Sequence, residues 1–80
     1  MERKEIIQKL TEIFRTTFNE PELVLNDEMN AGDVDSWDSL THMLMVSEVE
    51  SQFGIRFKLK ELNQLKTVGD IVSILEEKLK

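Results

Sequence analysis

Cysteine is absent from the 80 residues, which rules out a disulfide framework and any cysteine-ligated metal site. Histidine occurs once, at His42, and a lone imidazole builds no zinc centre unless several carboxylates converge on it. No apolar run approaches the roughly 20 residues of a membrane span, so no membrane partner is expected. The opening Met1-Glu2-Arg3-Lys4-Glu5 lacks the apolar stretch of a signal peptide, and the cytoplasm is the expected compartment.

Basic residues are missing from the middle. Between Thr16 and Ile55 there is no Lys or Arg, yet nine acids fall there: Glu20, Glu22, Asp27, Glu28, Asp33, Asp35, Asp38, Glu48 and Glu50. All ten basic residues lie in the flanks, and the net charge is −6. This pattern argues against nucleic acid as a partner, because phosphate contacts need clustered Lys and Arg. An acidic middle steers basic protein surfaces toward itself. It also serves as a plain solubilising surface, and charge alone leaves both readings open.

What is present suits a small folded unit. Residues 1–80 make one domain, expected to be a monomer. At this length only about 60–65% of the unfolded chain's surface is buried, so the core is modest. Apolar residues make up 40%, enough for such a core and too regularly spaced for a disordered tail.

Ile6, Leu10, Ile13, Phe14 and Phe18 recur at three and four residues, which predicts a helix over about Glu2 to Phe18, ended by Asn19-Glu20-Pro21. Residues 19–37 form a long connection with Val24, Leu25 and Met29 as anchors and a turn at Asn30-Ala31-Gly32-Asp33. Connections longer than about 12–15 residues are often functional. A second helix starts at Trp37-Asp38-Ser39, with Asp38 or Ser39 as N-cap, and runs to Phe53. Met43, Val46, Val49 and Phe53 form its apolar stripe and Gly54 takes the left-handed position that closes it. Lys58 to Leu65 holds a short helix or turn. The last helix opens at Thr67, capped with the help of Asp70, with Val68, Ile71, Leu75 and Leu79 facing inward. No period-two alternation is sustained. The expected fold is all-α, a small four-helix bundle of three main helices and one short one.

Chemistry is concentrated where the long loop meets the second helix, at Asp35-Ser36-Trp37-Asp38-Ser39-Leu40. A hydroxyl there stands at a helix N-terminus, where unpaired N–H groups and the macrodipole favour a phosphate ester. Taken alone, Asp38-Ser39 reads equally as a simple cap.

The wider segment, Asp-Ser-Leu-Thr-His-Met-Leu-Met-Val-Ser-Glu-Val-Glu-Ser-Gln-Phe-Gly-Ile-Arg-Phe over residues 38–57, resembles the acyl carrier protein family. So does Leu-Lys-Thr-Val-Gly-Asp-Ile-Val over residues 65–72, and the likeness spans nearly the whole chain in order and spacing. The resemblance implies that Ser39 carries 4′-phosphopantetheine through a phosphodiester, added from coenzyme A by a phosphopantetheinyl transferase. The missing cysteine fits, since the arm would bring the thiol. The protein would then hold an acyl or aminoacyl group as a thioester and present it to acyl-loading and acyl-transfer enzymes, without catalysing a reaction itself. By the same resemblance Asp38 helps position the metal-assisted transfer of the arm, Leu40 contacts the transferase and later partners, and Glu48 and Glu50 belong to the acidic face that basic docking surfaces recognise.

Two positions depart from carriers of fatty acid synthesis. Leu44 stands where those carriers tend to place a glutamate, making the partner face more apolar. Trp37 replaces the small residue common before Asp-Ser-Leu and looks like specialised stand-alone carriers or those of peptide-synthetase type. Both are expected partner contacts.

Other readings were tested on the residues. Asp27 to Asp38 has the twelve-residue length of an EF-hand loop with Gly32 at its sixth position, but Met29 and Ala31 occupy ligand positions, which rejects it. Weak divalent binding at Asp33, Asp35 and Asp38 remains open. Ser39 with His42 as base makes a poor catalytic pair, because nothing in the sequence orients the imidazole and a small domain offers little pocket. An unmodified helical adaptor binding through Met43, Leu44 and Met45 is the remaining alternative; methionines at such spacing are as readily core.

Overall fold

The first helix, α1 (Arg3–Thr17), turns Ile6, Leu10, Ile13 and Phe14 onto one buried face, as the spacing requires. The computed structural model describes all of residues 1–80. The end of α1 is set one step earlier than proline would set it. Asn19 adopts a left-handed φ of 55°, and the Glu20 amide returns to the Arg15 carbonyl at 3.0 Å. Asparagine tolerates that conformation and closes the last turn by itself.

The chain then runs through the long loop, with a single 3₁₀ turn at Ala31–Asp33, into α2 (Ser39–Phe53), the four-residue α3 (Leu59–Leu62) and α4 (Val68–Lys78). Helices α2 and α4 both pack on α1. The only β pairing is an isolated bridge between Asn30 and Thr67. This is the all-α bundle of three main helices and one short one that the periodicity predicted.

All 18 buried residues are apolar and join in one cluster. Each large side chain buried in it stabilises the fold by roughly 1.5–3 kcal/mol relative to exposure. The loop is anchored by Met29, which is buried, and by Leu23 and Leu25, which are half-buried. Val24, expected to be an anchor, is 72% exposed. Its neighbour Leu23, whose carbonyl accepts from Arg15 Nε at 2.9 Å, takes the inward place.

Backbone bonds staple the loop to α4. The Val68 amide donates to the Met29 carbonyl at 2.9 Å, and the Gly69 amide donates to the Asp27 carbonyl at 3.0 Å. Two first-turn donors that a helix cannot satisfy internally are thus met by the loop. Thr67 and Asp70 complete a reciprocal capping box, at 3.1 and 3.0 Å. At the other end of α2, Gly54 adopts φ 66°, ψ 39°, the left-handed stop its position predicted.

Along α2 the buried residues are Met45, Val46, Val49 and Phe53. Met43, expected in the core stripe, is exposed, and Met45 is buried in its stead. Leu40, Met43, Leu44, Met45 and Val46 together surround the first half of this helix with apolar side chains. Periodicity therefore cannot choose the inward face there; packing against α1 does.

Candidate functional site

Asp38 is the N-cap of α2, and one of its oxygens does all the capping. Oδ1 accepts from the Leu40 amide at 3.0 Å and the Thr41 amide at 2.9 Å, and the Thr41 hydroxyl lies 3.2 Å from it while donating to the Ser36 carbonyl at 2.6 Å. The Thr41 Oγ1 in turn accepts from the Asp38 amide at 2.8 Å. These bonds, led by the Thr41 amide, hold the exposed carboxyl below its ordinary value of 3.8. Oδ2 takes part in none of them and faces solvent as an unused anionic oxygen.

Ser39 follows as the first helical residue, exposed and outside the capping bonds. Its surroundings differ from the open helix end expected from sequence. Two of the amides that would greet a phosphate are already bound to Asp38, and no basic residue lies between Thr16 and Ile55. A phosphate placed at this helix start would therefore meet few free donors.

Trp37 lies beneath, only 3% exposed. It packs edge-on to Phe14 with centroids 5.2 Å apart and face-on to Phe18 at 5.5 Å. The expectation of Trp37 as a partner contact is thus corrected: the indole is a core side chain that ties the start of α2 to α1. Its Nε1–H donates to His42 Nδ1 at 3.0 Å, and the two rings are nearly parallel, 9° apart. The imidazole is oriented after all, though from below and by a donor rather than by the carboxylate a catalytic base needs. Burial lowers the His42 pKa from 6.5. Sequence reasoning missed this pair; the five-residue interval from Trp37 to His42, which straddles a helix start, carries no periodic signal.

Leu40 is 71% exposed and Leu44 is 54% exposed, one turn apart on the same row. Glu48 is exposed, its Oε1 accepting from Gln52. Glu50 is half-buried, and its Oε2 accepts from the Phe57 amide at 2.8 Å, so it pins the segment after α2. No group of three or more His, Asp or Glu comes together, so Asp33, Asp35 and Asp38 do not form a cation site. No helix is long and apolar enough to cross a membrane.

An exposed serine at a helix start, a partly free carboxylate beside it and an apolar row one face away define a presenting surface, not a catalytic pocket. Residues 8–75 match the phosphopantetheine attachment site family, and the chain belongs to it. It is 35% identical to the acyl carrier protein of Coprothermobacter proteolyticus over 79 residues, covering 99% of this chain and 96% of that one. It is likewise 35% identical to the acyl carrier protein of Thermotoga maritima over 77 residues, covering 96% and 95%. The solution structure of a holo acyl carrier protein from Geobacter metallireducens superposes with a TM-score of 0.85 at 42% identity, covering 91% of this chain and 84% of that one. The protein is an acyl carrier and not an enzyme, with phosphopantetheine as its covalently attached group, and it works through partner enzymes that include a phosphopantetheinyl transferase.

Proposed function

We propose that Ser39 is the residue that bears the phosphopantetheine arm. The observation that carries this reading is the placement of Ser39 as an exposed first helical residue left free by an N-cap that Asp38 supplies alone. The arm supplies the thiol that the cysteine-free chain lacks and on which an acyl group is carried. Ser39 contributes the oxygen of the phosphodiester. Asp38 keeps Ser39 at the head of the helix through Oδ1 and offers Oδ2 to the metal ion that the transferase uses. Leu40 and Leu44 form the apolar centre of the docking face, with Glu48 at its acidic edge; Glu50 adds charge from a position fixed by Phe57.

The setting we infer is a cytoplasmic, monomeric, single-domain carrier that serves fatty acid, polyketide or related biosynthesis. Leu44 favours a specialised carrier over the one used in general fatty acid synthesis, since the docking row is apolar where an acid is usual. The direct test is the intact mass before and after incubation with coenzyme A, magnesium and a broad-specificity phosphopantetheinyl transferase, with Ser39→Ala alongside. A gain of one phosphopantetheine in the wild type alone is expected. A gain that persists in Ser39→Ala would place the attachment elsewhere.

A further inference from the structure

Beside Ser39 lies a feature that attachment does not use. An open groove of about 580 Å³ runs between the 3₁₀ turn and the start of α2, lined by Ala31, Trp37, Asp38, Ser39, His42 and Met43. Ser39, His42 and Met43 fall at i, i+3 and i+4 and share one helix face. Leu40 and Leu44 form the neighbouring row, so the groove and the docking row are separate surfaces.

The groove is built on a fixed floor. Trp37 is locked between Phe14 and Phe18, and its indole N–H occupies His42 Nδ1. A neutral imidazole that accepts at Nδ1 carries its proton on Nε2. That N–H makes no bond within the chain, which leaves one unpaired donor on a groove lined by Ala31 and Met43.

We propose that this groove is the resting berth of the pantetheine arm borne by Ser39, with His42 Nε2–H donating to an amide carbonyl of the arm and Met43 and Ala31 covering its geminal methyls. The proposal rests on the reading of Ser39 as the attachment residue. Three observations favour this occupant. The arm would begin at a residue that lines the groove, so its local concentration there is on the order of millimolar and a weak contact suffices. The volume falls within the range of about 300–1,000 Å³ that pockets offer ligands of this size. Finally, the groove has no cation to hold the phosphate and Asp38 repels it, so the hold falls on the uncharged pantetheine portion, whose geminal methyls and amide carbonyls match apolar walls with a single donor. Parking the arm here leaves Leu40 and Leu44 uncovered, so a partner docks on the loaded carrier before the arm is drawn out.

The experiment uses the modified protein with an isotope-labelled arm, its modification first verified by intact mass. Nuclear Overhauser contacts between the arm's geminal methyls and the Met43 methyl are expected. The carbonyl carbon resonance of the accepting arm amide should shift downfield of its position in free pantetheine. His42→Ala should abolish the shift, and His42→Gln, which keeps a donor, should restore part of it; the backbone amide resonances of α1 monitor that both variants stay folded. Full modification with no arm contacts and arm carbonyls at their free positions would overturn the berth while leaving the attachment reading intact. Absence of any mass gain would overturn the attachment reading and the berth with it.

Discussion

At the scale of single residues, the site depends on which atom of each side chain is already engaged. Asp38 uses Oδ1 to cap α2 and leaves Oδ2 free, so its two roles separate by substitution. Asparagine caps a helix about as well as aspartate. Asp38→Asn should therefore leave the thermal midpoint within a few degrees of wild type and slow arm attachment by roughly tenfold or more, the scale on which groups supporting a metal act. An equal fall in both quantities, read by circular dichroism and by timed intact mass, would reduce Asp38 to a cap. His42 makes a second separable case. Its folded-state pKa lies below 6.5 because of burial, so between that folded value and 6.5 the unfolded chain binds the proton more readily. Stability is therefore full above pH 6.5 and falls as pH drops through the folded value, where protonation must also break the bond from the Trp37 indole. Asp38 and Glu61, both lowered by hydrogen bonds to backbone amides, lose their contributions only in more acid solution. His42 is the only histidine, so the urea midpoint should decline between pH 7.5 and 5.5 in the wild type and stay flat in His42→Ala.

At the scale of elements, the loop of residues 19–37 is fastened to α4 as well as by its own turns. The carbonyls of Asp27 and Met29 take the first amides of α4, and the backbone contact is tight: a Cβ at Gly69 would lie 3.0 Å from the Asp27 oxygen and 3.3 Å from the Asp27 Cβ. Gly69→Ala should destabilise the protein by about 1–3 kcal/mol, the usual range for a forced steric insertion. The Val68 and Gly69 amides should exchange faster in that variant than those of α1, and a uniform change across both helices would argue against a local staple. These elements were legible in sequence to different degrees. Helices α1 and α4 each concentrate apolar residues on one face, and their inward residues were read correctly, with Val72 joining the buried set of α4. The attachment candidate was legible through Asp-Ser-Leu and its surroundings. Helix α2 is apolar on several faces in its first half, so the exchange of Met43 for Met45 lay beyond any period. The loop has no period at all, and Leu23 rather than Val24 turns inward where its carbonyl accepts from Arg15 Nε of α1 at 2.9 Å. Trp37 was misplaced for a related reason: next to an exposed site in sequence, it is turned inward by Phe14 of α1 and Phe18 at that helix's C-cap.

At the scale of the whole molecule, the proposed docking face gives charge and apolar surface different jobs. The acids between Thr16 and Ile55 would draw a basic partner surface from a distance, with a reach limited to about 8 Å at physiological ionic strength. Leu40 and Leu44 are exposed together on the near half of α2, and such a row would supply the dehydrated centre of an interface whose rim is polar. Rim charges chiefly set association rates, and central apolar contacts set dissociation rates. Binding to the transferase, followed by surface plasmon resonance, should therefore show two independent effects. Raising the salt concentration should lower the association rate several-fold with little change in dissociation. Leu44→Ala should speed dissociation by about tenfold, equivalent to roughly 1.4 kcal/mol, with the association rate and its salt dependence preserved. Leu44→Glu, which restores an acid to the row, should instead raise the association rate at low salt while weakening the complex once formed. If Leu44→Ala left dissociation unchanged and salt alone abolished binding, docking would be electrostatic throughout, and the apolar row would have no part in choosing partners.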